Sequence, residues 1–466
     1  MPRSPAAWLS HLEPRLDARW SEWDQYDKYY EGDHRLAFAS RTYVNRFGKL
    51  LAHLVSNWMP LIVDSTAERI RVQGLRFGDE ADTDIWAIWQ ANGLDAQANM
   101  VHTESIKLGE AYWLVQPNGE DGPKITAEHP RQVIVATAPG DRRTRLAALK
   151  KWLEDDGHVR ANIYLPDRVA KFRSQEPVRS GDMQRINWGT AEITANPLGV
   201  VPIVPMPNNP SMLQGGVSDL ARGKLAIQDA INKMLGDSQV GSETHAMPQR
   251  VMLGVEPPRD PITGRVIADK KMMESQLWYF NVKEGASATE FSAADLSQLR
   301  ELVDGQIGDL ASQTRTPVHY FKPQSISNLS AEALQGLETG LVSKVRDKMD
   351  AFGDGYEEVA RLAFRAIDPQ DPRATETNIE VIWRDPESRS MAQVIDAATK
   401  KMAIGVPWEQ IMEDIGYSPP QIDRMAAMRE QDQLLGLTLA PPPTSPQPPA
   451  STPDQPQSAP AASGTP

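Results

Sequence analysis

Apolar positions along this chain recur in two rhythms. Over residues 8–30, Leu9, Leu12, Leu16, Trp20 and Trp23 repeat at spacings of three and four, the period of an amphipathic helix, with Gly32 placed to end it. A second helix is expected over residues 46–69, and helical pattern returns over 85–110. The period then shortens. Residues 111–116, 124–128, 132–136 and 159–172 are rich in β-branched and aromatic types and are parted by turn clusters such as Asn118-Gly119 and Asp155-Asp156-Gly157. These predict antiparallel strands in an α+β region.

From Gly215 onward the pattern is mostly helical. Ser218 is a good N-cap with Asp219 in the first turn, and Leu220, Ile227, Ile231, Met234 and Leu235 mark one face of a helix expected to reach about residue 244. Residues 248–292 hold Pro257-Pro258, Pro261, Gly264 and the strand-like runs 250–253 and 277–282, which predicts a small β-containing excursion. Helical texture resumes at Asp295 and continues through Leu296, Leu299, Val303, Ile307 and Leu310. After a loop with Thr316-Pro317 and Lys322-Pro323, the longest pattern opens at Ser330 and runs through Leu334, Leu337, Leu341, Val345, Met349, Phe352, Tyr356, Val359 and Ala363. That is roughly eight turns or more, about 50 Å at 1.5 Å per residue. Gly353-Asp354-Gly355 interrupts it, and since each glycine costs about 1 kcal/mol relative to alanine, a kink is expected there. A strand over 379–383 and two or three short helices over 387–433 follow. Ten of the 37 prolines then fall between Pro441 and Pro466, among Ser, Thr, Gln and Ala, a composition that reads as a disordered, solvated tail.

The 466 residues, 40% of them hydrophobic, suffice for two or three cores. No run of 18 apolar residues occurs and the first residues lack the apolar centre of a signal peptide, so the expectation is a soluble, unexported protein with no membrane partner. Zero cysteines rule out disulfides and thiolate metal sites. A formal charge of -13 argues against a sequence-independent DNA coat, because affinity for duplex DNA comes mostly from cations on phosphates; any DNA contact is local or weak.

Motifs for chemistry are missing: the chain has no phosphate-cradling glycine loop, no dinucleotide fingerprint and no Gly-x-Ser-x-Gly elbow. The eight histidines are scattered, and His102-Thr103-Glu104 places its two possible ligands on different helical faces. Acidic clusters at 79–84 and 354–358 have the residue types of a Mg²⁺ site, but the first flanks a helix start and the second the expected kink, which suits solvated faces. Trp20, Trp23, Trp86 and Trp89 lie on helical stripes and read as core or interface rather than a base-stacking platform. The expectation is a non-enzymatic assembly subunit without catalytic, cofactor or metal residues.

Several stretches in order carry a family resemblance. They are Tyr29-Tyr30-Glu31-Gly32; Ile62-Val63-Asp64 through Glu68-Arg69 to Val72-Gln73-Gly74-Leu75; Gly109-Glu110-Ala111-Tyr112; and Val201-Pro202-Ile203-Val204-Pro205 followed by Gly216-Val217-Ser218-Asp219-Leu220. Thr316-Pro317, Asn328-Leu329-Ser330-Ala331-Glu332-Ala333-Leu334 and Ile382-Trp383-Arg384-Asp385-Pro386 complete the series. Together, over roughly residues 20–430, the chain resembles the Gp6-like portal family of siphovirus-type tailed phages.

The resemblance implies the portal fold, α+β and predominantly helical. Its parts would be a wing (1–216), a stem helix (217–247), a clip (248–292), a second stem helix (293–315), a tunnel loop (316–329) and a tunnel helix (330–366). A wing return strand (367–386), a helical crown (387–436) and the disordered Pro-rich tail (437–466) would follow. It further implies a homo-oligomeric ring, usually a dodecamer, at one capsid vertex of the virion, assembled in the host cytoplasm. Double-stranded DNA would pass through the ring during packaging and ejection. The implied protein partners are the terminase large subunit, a head-tail adaptor, and the major capsid and scaffolding proteins. On that reading Lys322 is the first candidate to touch DNA, with Lys344 and Lys348 on the long helix and His319 in the loop after it. Two alternatives stay open: a minor capsid or scaffolding-type structural protein, and a metal-dependent nuclease using one acidic cluster.

Overall fold

The computed structural model describes residues 2–33, 56–78, 80–178, 186–212, 215–221, 223–246, 250–254, 259, 261–264, 277–280, 285, 287–290, 297–323, 330–387 and 391–434. The first predicted helix is two, α1 (Pro5–Ala18) and α2 (Trp20–Glu31), parted at Arg19. Ser4 caps α1 by accepting from the Ala7 amide at 3.2 Å, and Gly32 closes α2 in the left-handed region at φ 78°. The apolar stripe survives the break: Leu12 and Leu16 of α1 and Trp23 of α2 are all buried. Arg19 marks the junction, its guanidinium reaching Glu110 and lying 4.4 Å above the Trp23 ring.

Helix α3 (Met59–Ala67) is the part of the second predicted helix that lies among the described residues; residues 46–55 lie outside them. Strands β1 (Val72–Phe77) and β2 (Glu80–Ala81) follow. The pattern over 85–110 divides into α4 (Thr83–Ala91) and α5 (Leu94–Leu108), because Gly93 between them adopts φ 60°. Eight strands come next: β3 (Glu110–Gln116), β4 (Lys124–Glu128), β5 (Val133–Ala138), β6 (Asp141–Leu153), β7 (Val159–Tyr164), β8 (Arg168–Arg173), β9 (Glu192–Ala195) and β10 (Ile203–Pro207). They form antiparallel sheets in the orders β5-β6-β7-β8-β9 and β10-β3-β4. The 13-residue β6 escapes a reading by periodicity, since its first five residues are Asp141-Arg142-Arg143-Thr144-Arg145 and its buried part, Ala147 to Leu149 with Lys151, does not alternate. Lys151 is satisfied in the interior by Asp17 (2.6 Å) and Glu13 (3.3 Å) of α1.

The helical half opens with α6 (Lys224–Ala246), which begins later than Ser218. Ser218 turns inward instead, donating to the Lys107 carbonyl at 2.5 Å, and Gly223 at φ 87° sets the direction of the helix. Strands β11 (Arg250–Leu253), β12 (Leu277–Phe280) and β13 (Ser287–Glu290) make a small sheet in which β11 pairs parallel to β12 and antiparallel to β13. Helix α7 (Ser297–Thr314) packs back along α6, so the β excursion sits between two paired helices.

A short helix α8 (Val318–Phe321) precedes α9 (Ala331–Ile367), 37 residues of unbroken helix. The helix continues without a break through Gly353-Asp354-Gly355, and packing accounts for Gly355: a Cβ there would fall 2.2 Å from the sulfur of buried Met206, so the glycine lets β10 cross close to the helix. Strand β14 (Ile379–Trp383) pairs antiparallel with β1, Leu75 opposite Val381, in the order β14-β1-β2. Helices α10 (Met391–Ala403), α11 (Trp408–Ile415) and α12 (Pro419–Leu434) follow. The chain divides into two compact units, residues 1–419 and 420–466; the described part of the second is helical to Leu434.

Candidate functional site

The segment between α7 and α9 holds His319 and Lys322, two of the four residues singled out for DNA contact. Ser330 caps α9 by accepting from the Ala333 amide at 3.2 Å. Phe321 is buried with its ring 5.4 Å from that of Trp58, which seats α8 on the core. Tyr320 accepts from Arg69 at 2.6 Å and donates to Glu338 at 3.1 Å; Arg69 also meets Glu338 at 3.1 Å and the Pro386 carbonyl at 2.9 Å. Burial pushes the Tyr320 hydroxyl up, and burial of Arg69 is outweighed by Tyr320 and Glu338, which raise its guanidinium above its ordinary value. The node joins α3, α8, α9 and the segment after β14. His319 belongs to it, largely buried, with Nε2 3.8 Å from Glu338 and its ring edge-on to Tyr320.

Lys322 stands further out. Its Nζ lies 2.6 Å from Asp304 of α7, and its side chain keeps 28% of its exposure against 52% for the carboxylate. Both groups are partly exposed.

Lys344 and Lys348 point into the protein. One turn apart on α9, they close on opposite oxygens of buried Asp219, Lys344 at 2.8 Å from Oδ2 and Lys348 at 2.9 Å from Oδ1. Asn208 and Asn209 complete the cluster, their amides donating to Asp219 Oδ1 at 3.0 and 2.7 Å, while Lys348, only 1% exposed, also donates to both their carbonyl oxygens. Burial alone would raise the Asp219 carboxyl, but Lys344 and Lys348 overcome it and hold the group well below the carboxylate range. Burial pushes the Lys348 ammonium down to about 8 against the pull of Asp219. The cluster pins α9 to the segment that feeds α6 and to the end of β10. These two candidates are therefore interior side chains of the chain.

A sequence reading passed over Asp219, Asn208, Asn209, Arg69, Glu338 and Asp304 as partners. One signal was available: Lys344 and Lys348 fall in register with Leu341, Val345 and Met349 on the apolar stripe of α9, where a lysine needs a buried counter-charge.

The remaining candidates for chemistry separate. His102 is buried with its ring stacked on Phe352 and Nε2 2.8 Å from the Tyr356 hydroxyl, while Glu104 faces Lys107 and His129. Asp82 caps α4 and, with Asp84 and Asp371, grips Arg373; Glu358 engages Arg145 and Arg361. Among the described residues, no group of three or more His, Asp or Glu is placed to hold a metal ion. Trp23 and Trp89 are core residues and Trp86 stacks on Trp89 at 5.8 Å. No described helix is long and apolar enough to cross a membrane.

A family model described as "Phage portal protein, SPP1 Gp6-like" matches residues 9–433. The chain belongs to that family. Portal proteins of Mycobacterium phages D29 and L5 are each 30% identical over 430 residues, 88% of this chain and 86% and 85% of theirs. A solved chain from the neck of a native gene transfer agent particle, 12% identical, aligns with a TM-score of 0.43 over 82% of this chain and 95% of its own. The portal identity and the α+β class agree with the reading of the sequence.

Proposed function

We propose that this portal protein assembles into a ring, dodecameric in the virion, at one capsid vertex. The ring would be the channel for double-stranded DNA in packaging and ejection, and the docking site for the terminase large subunit and a head-tail adaptor. In this reading residues 1–216 with strand 367–386 form the wing, 217–247 and 293–315 the stem, 248–292 the clip, 316–329 the tunnel loop, 330–366 the tunnel helix and 387–436 the crown. The observation that carries it is the order of elements within a chain of this family: two paired helices bracketing a small sheet, then a short anchored loop, then a 37-residue helix.

The mechanism needs no reacting group. A conduit must hold DNA without trapping it, so its wall should be acidic or neutral with few cations. The chain carries a net charge of -13. Lys322 is the cation of the loop best placed for transient phosphate contact, because it is partly exposed, whereas His319, Lys344 and Lys348 serve to position the loop and the long helix.

Electron microscopy of the purified full-length protein tests the reading: rings with a central hole wide enough for duplex DNA are expected, while shell-like or irregular aggregates would favour a minor capsid or scaffolding role. Lys322→Ala should leave the rings intact and reduce the DNA they retain.

A further inference from the structure

We propose that Asp304 sets how firmly this protein holds duplex DNA, by covering the Lys322 ammonium until a backbone phosphate displaces it. The inference rests on Lys322 being a channel cation, as proposed above, and adds the residue that regulates it. Asp304 lies on α7 and Lys322 just beyond α8, so their 2.6 Å contact is made by the fold rather than by neighbouring turns of one helix. Two arginines, one just after α7 and one on α9, are treated alike. Arg315, after α7, meets Asp347 of α9 at 3.2 Å, and Arg346 of α9 meets Glu387 at 2.8 Å and Asp385 at 3.8 Å. Each of these cations thus faces a carboxylate from another part of the chain.

An exposed pair of this kind is held weakly, since water and salt compete with both members. A phosphodiester offers the ammonium the same charge as a carboxylate. Exchange of Lys322 between Asp304 and a passing phosphate replaces one anion by another, so DNA gains a contact that is as easily given up. With an amide in place of the carboxylate, a phosphate meets the ammonium without displacing a like-charged competitor at that position, and the contact should last longer.

The test compares the assembled full-length protein as wild type, Asp304→Asn, Lys322→Ala and the double variant, each bound to linear duplex DNA over a series of salt concentrations by fluorescence anisotropy. Asp304→Asn should bind more tightly, and the slope of log K against log salt should steepen by about 0.9 for every Lys322 that gains a phosphate. The gain should vanish in the double variant. Unchanged or weaker binding by Asp304→Asn overturns the proposal, as does a gain that persists without Lys322. Rings whose DNA binding falls in Lys322→Ala but ignores Asp304→Asn would sink this inference and leave the channel reading standing; an absence of rings would sink both.

Discussion

Lys348 and Lys322 show how differently one residue type behaves when its surroundings change. In a buried cluster an ammonium is tolerated only with a counter-charge and satisfied donors, and for Lys348 Asp219, Asn208 and Asn209 supply both. Asp219→Ala should therefore leave two buried ammonium groups without their carboxylate and cost about 3–5 kcal/mol. Urea denaturation midpoints measure it, and a loss below about 1 kcal/mol, the range of exposed pairs, would show that the cluster is not closed to water. The sequence contained the clue in the register of Lys344 and Lys348 with apolar neighbours. It did not contain the partner, because Asp219 lies more than 120 residues away and reads locally as an acid in the first turn of a helix. At Gly355 the local reading missed a partner as well: a glycine inside a helix suggests a kink, and the structure adds the close approach of Met206, which leaves no room for a side chain.

Elements were legible where a local cue sets them. The cap at Ser330, the strands β4 and β14 and the stop at Gly32 stand where capping geometry, period and left-handed glycine place them. Boundaries failed where burial overrode a local preference, as at Ser218, whose hydroxyl is drawn to the Lys107 carbonyl instead of capping α6. β6 was hidden because its charged end carries no apolar face. Residues 332–340 of α9 are mostly exposed, Glu338 at the Arg69 node being the main exception, while Val359 to Phe364 are mostly buried. Ser330→Ala should consequently cost about 1 kcal/mol and act locally. Hydrogen exchange should quicken at residues 331–334 and stay unchanged at 359–364; equal acceleration in both would contradict this division of the helix.

For the molecule as a whole, β14 returns across some 300 residues to pair with β1, and the core beneath it gathers α5, α9 and the sheets around His102. Burial, with a smaller contribution from Arg71, pushes the His102 imidazole down to about 3. Below its ordinary 6.5 the unfolded chain takes up a proton that the folded chain excludes, so stability should fall with acidification between pH 6.5 and about 3. At pH 5 the loss from this group is about 2 kcal/mol. Asp219 acts in the same direction at lower pH: its folded carboxyl is depressed, so its contribution is present above the unfolded carboxylate value and is lost below it. Denaturation at stepped pH checks the sign, and His102→Phe should flatten the profile between pH 6.5 and 5 whatever it does to the midpoint at neutrality. A profile as steep as that of wild type would rule out His102 as the titrating group.

Periodicity, caps and turn residues are properties of contiguous sequence, and they were enough to order the helices and most strands; the portal family was marked separately, by the resemblance of short stretches in order along the chain. Which lysines are interior and which face solvent, and which carboxylate answers each, depends on segments far apart in the chain being brought within hydrogen-bond distance. Electrostatic partners carry no periodic signature, so Lys344 and Lys348 stood beside Lys322 as candidates for DNA contact until folding placed them on Asp219 inside and Lys322 on Asp304 at the surface.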